Sequence, residues 1–120
     1  MKYFINVSAF PPLKMNLILA GHVLSAHATK QGYYYLEKEK SNGFPYWKQQ
    51  NGSHAIWFQK SWYNGWTIGD IDSLGQDYDG IIGPHDVSKW PMLIPEGFKF
   101  WNVSNWQSAT KSDLAFEDCK

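Results

Sequence analysis

The sequence has a single cysteine, no arginine and no long apolar run, and each shortage excludes a class of protein. One cysteine, Cys119, excludes an intramolecular disulfide. The eleven basic side chains are scattered lysines balanced by eleven acidic ones, so the clustered positive charge of a nucleic-acid-binding protein is missing. No apolar run is long enough to cross a bilayer as a helix. A chain of 120 residues is therefore expected to fold as one domain that neither binds nucleic acid nor spans a membrane.

Aromatic residues are the abundant class. Seven Trp, seven Tyr and seven Phe occur in the chain. Large rings bury much area per residue, so they allow a small chain to build a core. We therefore expect most rings to lie in the core and a few to remain on the surface as a contact platform.

The N-terminal segment, residues 1–31, resembles a secretory signal. Lys14 precedes a short apolar run that ends in the small residues Ala26-His27-Ala28, which is the pattern of a signal and its cleavage site. An ordinary buried helix or strand is the alternative. Three Asn-x-Ser sequons also favour a secreted protein, located outside the cell or in an organelle lumen. They begin at Asn6, Asn51 and Asn102.

Residues 32–106 predict an all-β module. Short aromatic or β-branched runs alternate with Asn-Gly turns, which is typical of antiparallel hairpins. Pro45 predicts an edge position for its strand, whereas 54–59 is apolar on both faces and predicts a central strand. The predicted strands are 33–38, 44–48, 54–59, 66–69, 80–83 and 98–102, and the turns are Asn42-Gly43, Asn51-Gly52 and Asn64-Gly65.

These strands predict a small antiparallel meander sheet, in the form of a sandwich or a partly closed barrel. A long loop, 84–97, contains three prolines and Trp90, and a loop of this length either wraps the core or serves function. Residues 107–120 are expected to be a polar tail, with a short helix possible from Thr110 because its spacing to Asp113 is that of a capping box.

The order of the motifs resembles a loosely defined aromatic module found in surface and secreted proteins of protists, algae and marine invertebrates. Its carriers here are Gly32-Tyr-Tyr, Asn42-Gly-Phe-Pro-Tyr-Trp47, Trp66-Thr-Ile-Gly69 and the late Trp101. The resemblance covers about residues 32–106. It implies a non-enzymatic β-module that is often one part of a larger assembly, and it implies no particular ligand.

The acidic segment 70–80 begins like a calcium-binding EF-hand loop. Its fifth and twelfth positions would be Leu74 and Ile81, which supply no carboxylate. The preferred interpretation is a solvated, turn-rich loop. The alternative is an irregular calcium site made by Asp70, Asp72, Asp77 and Asp79.

Signatures of catalysis and of other metals are missing. His54 and His85 have no partner at the spacing of zinc ligands. The chain has no Gly-x-Ser-x-Gly elbow, and Cys119 lies in the expected tail. The one cluster of acids lies on a loop, whereas glycoside hydrolysis needs two carboxylates in a rigid groove. We therefore expect a protein that is not an enzyme and that needs no cofactor.

The aromatic rings near turns and prolines suggest a binding function. The favoured hypothesis is a structural or interaction module that docks with protein partners in a larger extracellular or luminal assembly, because interfaces prefer aromatic residues. The alternative is a carbohydrate-binding module whose rings stack on sugars. A sugar site predicts exposed rings beside polar groups, whereas a docking face predicts a continuous apolar surface. The candidate contact residues for both are Trp47, Trp62, Tyr63 and Trp90.

Overall fold

The protein is an all-β domain in a computed structural model that describes residues 11–59, 65–76, 80–84, 89–94, 96–102, 104–110 and 112–118. These residues form nine strands in one antiparallel sheet, ordered β8-β7-β6-β5-β4-β3-β2-β1-β9 and curled into a half-barrel. The strands are β1 Lys14–Leu19, β2 Gly32–Ser41, β3 Phe44–Gln49, β4 His54–Gln59, β5 Gly65–Asp70, β6 Ile81–Ile82, β7 Lys99–Asn102, β8 Asn105–Ser108 and β9 Leu114–Asp118. A helix, α1 Gly21–His27, and three short 3-10 helices, Ala28–Lys30, Ile71–Ser73 and Pro91–Leu93, complete the described structure.

Two of the predicted Asn-Gly turns connect neighbouring strands as expected. Asn42 and Asn51 adopt positive φ angles of 56° and 57°, which asparagine tolerates better than most residues. Asn42 joins β2 to β3, and Asn51 joins β3 to β4. The third predicted turn begins at Asn64, which lies outside the described residues. Local turn chemistry therefore accounts for the consecutive order of β2, β3 and β4.

An aromatic cluster fills the concave side of the sheet. The ring of Trp66 lies 5.6 Å from Trp47, 5.2 Å from Phe58 and 6.3 Å from Trp90, measured between centroids. The indole N–H of Trp66 donates to the carbonyl of Lys89 at 2.9 Å, so its polar atom is satisfied within the core. All six residues of β4 are buried, which confirms the prediction of a central strand.

The position of β3 corrects the expectation from Pro45. β3 lies between β2 and β4, so it is not an edge strand. Its register with β4 includes only Trp47 and Lys48, whereas Pro45 pairs with Lys40 of β2. Because Pro45 lies in the part of β3 that is paired on one side alone, its missing N–H breaks no hydrogen-bond ladder.

Residues 14–19 and 114–118 both join the sheet, which therefore extends beyond the expected limits of 32 and 106. β1 pairs with β2 on one side and with β9 on the other. Met15, Leu17 and Leu19 of β1 are buried in the core, since alternate residues of a strand point to the same face. The expectation of a polar tail with a short helix is wrong, because residues 114–118 form β9 and Leu114 is buried.

The curled sheet brings distant elements together across the core. The Phe98 ring, just before β7, lies 5.9 Å from the Phe116 ring of β9. Helix α1 lies against β7, where His27 Nε2 and the carbonyl oxygen of Trp101 are hydrogen-bonded at 2.8 Å. Within the described ranges, no helix has the length and apolar character needed to cross a membrane.

Candidate functional site

Two of the four predicted contact residues are buried, so the prediction that their rings lie on the surface is wrong. Trp47 has no exposed area and Trp90 is 6% exposed. The two rings contact each other at 6.2 Å, and the Trp47 indole N–H donates to the carbonyl of Pro12 at 2.7 Å. Both side chains point to the concave face, where they form part of the core. The other two candidates, Trp62 and Tyr63, lie outside the described residues.

The acidic segment begins with a capped 3-10 helix. The Asp70 carboxylate accepts a hydrogen bond from the Asp72 backbone N–H at 3.1 Å, which caps the helix Ile71–Ser73. Both side chains are exposed. Asp77 and Asp79 lie outside the described residues. Among the residues that the structure describes, no group of three His, Cys, Asp or Glu side chains is placed to hold a metal ion.

Two exposed tyrosines lie side by side on the convex face of the sheet. Tyr33 is 42% exposed and Tyr35 is 37% exposed, whereas Tyr34 between them is fully buried. This division follows from the alternation of side chains along β2. The ammonium of Lys14 lies 4.6 Å from the centre of the Tyr33 ring and 5.4 Å from that of Tyr35. The two rings and this ammonium form one surface feature, within the range of cation–π attraction.

The cross-strand neighbours of the two rings are polar. Tyr35 lies opposite Lys14 of β1 and opposite Lys48 of β3. Tyr33 lies opposite Asn16, which in turn faces Glu117 of β9. We call this surface the tyrosine face, and it consists of Lys14, Asn16, Tyr33, Tyr35, Lys48 and Glu117.

Negative charge borders the tyrosine face beyond Tyr35. Burial and the nearby carboxylates of Glu37 and Glu39 together raise the pKa of the Tyr46 phenol, with burial the larger cause. Glu37 follows Tyr35 by two residues, so lysines and glutamates both border the rings. The tyrosine face therefore carries both positive and negative side chains. These charges divide its apolar area, so it is not a continuous hydrophobic patch.

An open polar cleft of about 480 Å³ lies at one end of β2, β3 and β4. We call it the polar cleft. Its buried floor is a hydrogen-bonded group of Gln49 and His54, each 8% exposed. The Gln49 amide donates to the carbonyls of Thr29 at 2.8 Å and Gln31 at 3.1 Å, and its oxygen accepts from the His54 N–H at 3.2 Å. The residues that line it include Thr29, Gln31, Gln50, Asn51, Ser53 and His54.

The polar cleft adjoins the tyrosine face. The backbone N–H of Gln50 donates to the carbonyl of Tyr33 at 2.8 Å. Gln31, another lining residue, precedes Tyr33 by two positions. The cleft therefore begins at Gln50, next to Tyr33 across the strands, whereas its floor residue Gln49 lies opposite the buried Tyr34.

A second cleft, of about 410 Å³, lies between α1 and β7. It is lined by His22, Ser25 and the 42%-exposed Trp101, among others. Trp101 packs edge-on against Trp106 with 5.4 Å between ring centroids. In the order of the sheet, β7 lies five strands from β2, so this ring is not part of the tyrosine face.

The sequence contained a signal for the tyrosine face that proximity to turns did not reveal. That signal is the alternation of Tyr33 and Tyr35 with Tyr34, whereas their pairing with Lys14 and Asn16 is visible only in the structure. Charged side chains are rarely buried, so a ring that is paired with them must lie on the solvent side.

Comparisons of the chain with protein-family models, with curated proteins and with solved structures found no match.

Proposed function

We propose that this protein is a non-catalytic saccharide-binding module whose tyrosine face stacks on sugar rings. The observation that supports this proposal is the pair of exposed rings, Tyr33 and Tyr35, set among lysine and amide side chains. One face of a sugar ring carries C–H groups that pack on an aromatic ring, while its hydroxyls need hydrogen-bonding partners. Both requirements are met on this face.

The spacing of the two rings suits an extended saccharide chain. Residues i and i+2 of a strand are roughly 7 Å apart, so Tyr33 and Tyr35 can each contact a successive sugar unit. The cross-strand neighbours hold the rings in place, since the Lys14 ammonium lies within cation–π distance of both. Because the platform is already ordered, binding immobilises little of the protein.

Docking to a protein in a larger assembly is the competing function. A stable protein interface has a well-packed core that is depleted of charged residues. The tyrosine face has charged residues opposite and beside its rings, which favours a polyhydroxylated ligand over an apolar protein surface. The extracellular or luminal location is proposed from the three Asn-x-Ser sequons together, and it does not require a glycan at Asn51.

Saccharide binding by purified protein tests the proposal. Neutral polysaccharides (cellulose, xylan and mannan) and acidic ones (alginate and a sulfated glycan) are compared by affinity electrophoresis and by calorimetry with soluble oligosaccharides. Tyr33→Ala or Tyr35→Ala is expected to weaken binding by about two- to tenfold, since an aromatic contact contributes about 0.5–1.5 kcal/mol. Trp101→Ala is the matched control, because it removes an equally exposed ring from a distant strand.

The outcomes separate the two functions. Weaker saccharide binding by both tyrosine variants, together with unchanged binding by the Trp101→Ala variant, supports the proposed function. Absence of binding to every saccharide refutes it. If the protein also forms a stable complex in its native source, and a photo-crosslinker at position 33 joins it to a protein, docking is the function of this face.

A further inference from the structure

We infer that the polar cleft is a hydrogen-bonding subsite for a further unit of a neutral saccharide chain that lies along the tyrosine face. This inference rests on the proposed function and adds to it the class of ligand and a second set of contact residues. The tyrosine face then supplies the stacking contacts, and the cleft supplies directional contacts to hydroxyl groups.

The floor of the polar cleft is held in place before any ligand binds. Gln49 makes hydrogen bonds through both ends of its amide, and His54 Nε2 lies 3.1 Å from the Thr29 hydroxyl. Gly52 is needed for this arrangement, because a Cβ at that position would overlap the Gln49 side chain. A recess whose buried amide is fixed by three hydrogen bonds presents its rim residues in a defined geometry.

The chemistry of the lining favours a neutral sugar. Among the described residues, those that line the cleft include glutamine, asparagine, serine and threonine, and none is Lys, Asp or Glu. Amide groups both donate and accept hydrogen bonds, as sugar hydroxyls do. A carboxylate or sulfate group would lose hydration in the cleft without gaining a lysine or arginine partner there.

The position of the cleft sets the direction in which a bound saccharide lies. Gln50 lines the cleft and is hydrogen-bonded to the backbone of Tyr33 at 2.8 Å. A saccharide that stacks on Tyr35 and Tyr33 therefore meets Gln50, at the rim of the cleft, with its next unit. Short oligosaccharides can occupy the two rings alone, whereas longer ones gain the cleft contacts as well.

The dependence of affinity on chain length tests the inference. Neutral oligosaccharides of two to six units, from the cello-, xylo- and manno- series, are titrated into full-length protein made in bacteria, which leaves Asn51 without a glycan. The cleft variant combines Gln50→Ala with Asn51→Gly. Glycine tolerates the φ of 57° at position 51, so this change removes an amide side chain without straining the turn. Gln107→Ala on β8 is the control for loss of an exposed amide elsewhere.

We expect the cleft variant to bind the longest oligosaccharide about tenfold more weakly and the disaccharide unchanged, because it loses about two hydrogen bonds. The Tyr33→Ala variant should be weaker at every length. Equal binding by native protein and cleft variant at all lengths, with the tyrosine effect retained, overturns the inference and leaves the proposed function intact. Tighter binding of alginate or the sulfated glycan than of any neutral chain also overturns it. No binding of any saccharide overturns both.

Discussion

Removal of residues 1–28, as cleavage after Ala28 would do, is predicted to unfold the protein. The cut deletes β1 and α1 and with them four buried apolar side chains, Met15, Leu17, Leu19 and Val23. Burial of each contributes roughly 1.5–3 kcal/mol, so the four contribute roughly 6–12 kcal/mol. Domains of this kind are stable by only about 5–15 kcal/mol. The loss is therefore comparable to the whole free energy of unfolding.

The backbone adds to this cost. β1 is the strand between β2 and β9, so its removal leaves β9 without its partner in the sheet. The carbonyl of Pro12, which accepts from the Trp47 indole at 2.7 Å, is lost as well. A buried donor left without its acceptor costs about 1–3 kcal/mol. Among the described strands, β9 pairs with β1 alone.

The assay compares two shortened proteins by near-ultraviolet circular dichroism and urea unfolding. One begins at Pro11 and keeps every described residue, and the other begins at Thr29. We expect a cooperative transition for the first and none for the second. A peptide of residues 11–28 added to the second should restore the aromatic signal. A cooperative transition with an unchanged urea midpoint for the chain from Thr29 would refute the assignment of β1 to the core.

Two further predictions concern the core. Trp66→Ala is expected to lower the free energy of unfolding by about 3–5 kcal/mol, because it removes a buried ring that contacts several others. Trp101→Ala should lower it by only about 0.5–1.5 kcal/mol, because the ring is 42% exposed and its aromatic contact is with Trp106. Equal urea midpoints for the two variants would contradict this. Burial raises the pKa of the Tyr34 phenol above its usual value near 10, so the unfolded chain loses that proton first and stability falls as pH rises above about 10, by up to about 1.4 kcal/mol per pH unit. Tyr34→Phe should remove that part of the decline, and an identical slope in both proteins between pH 9 and pH 11 would show that Tyr34 does not cause it.

Local sequence patterns predicted the middle of the sheet well. Asn-Gly pairs and alternating runs predicted β2, β3, β4 and β5, and all four strands are present in that order. These elements depend on interactions between residues close in the chain, such as the positive φ angles of Asn42 and Asn51. Hairpins of this kind can be recognised without knowledge of the rest of the molecule.

The edge of the sheet that β1 and β9 form could not be recognised in the same way. Met15 of β1 pairs with Asp118 of β9, and no local turn connects them. The alternation of Met15, Leu17 and Leu19 was visible in the sequence, but the basic flank and the small residues after it also fitted a signal segment. Residues 114–118 are short and partly polar, and they become a strand because β1 offers them an unpaired edge. Tertiary pairing therefore decided both assignments.

The error over the contact residues has a single physical cause. Trp47 and Tyr35 both lie on strands in the same part of the sheet, so proximity to a turn does not distinguish them. What distinguishes them is the face to which each points, and this depends on the direction in which the sheet curls. Trp47 points to the concave side and meets Trp66 and Trp90, whereas Tyr35 points to the convex side and meets two lysines.

Cross-strand neighbours therefore identify exposed rings better than ring size does. Most of the described Trp rings fill the core, because they remove the most apolar area from water, but Trp101 is 42% exposed, so size alone does not decide burial. A tyrosine that remains outside is marked by partners that cannot enter the core, as Lys14 and Lys48 are on either side of Tyr35. The same lysines and amides that keep the rings at the surface also supply the polar groups that a sugar needs. The features that exclude Tyr33 and Tyr35 from the core are thus the ones that make the tyrosine face suitable for a polyhydroxylated ligand.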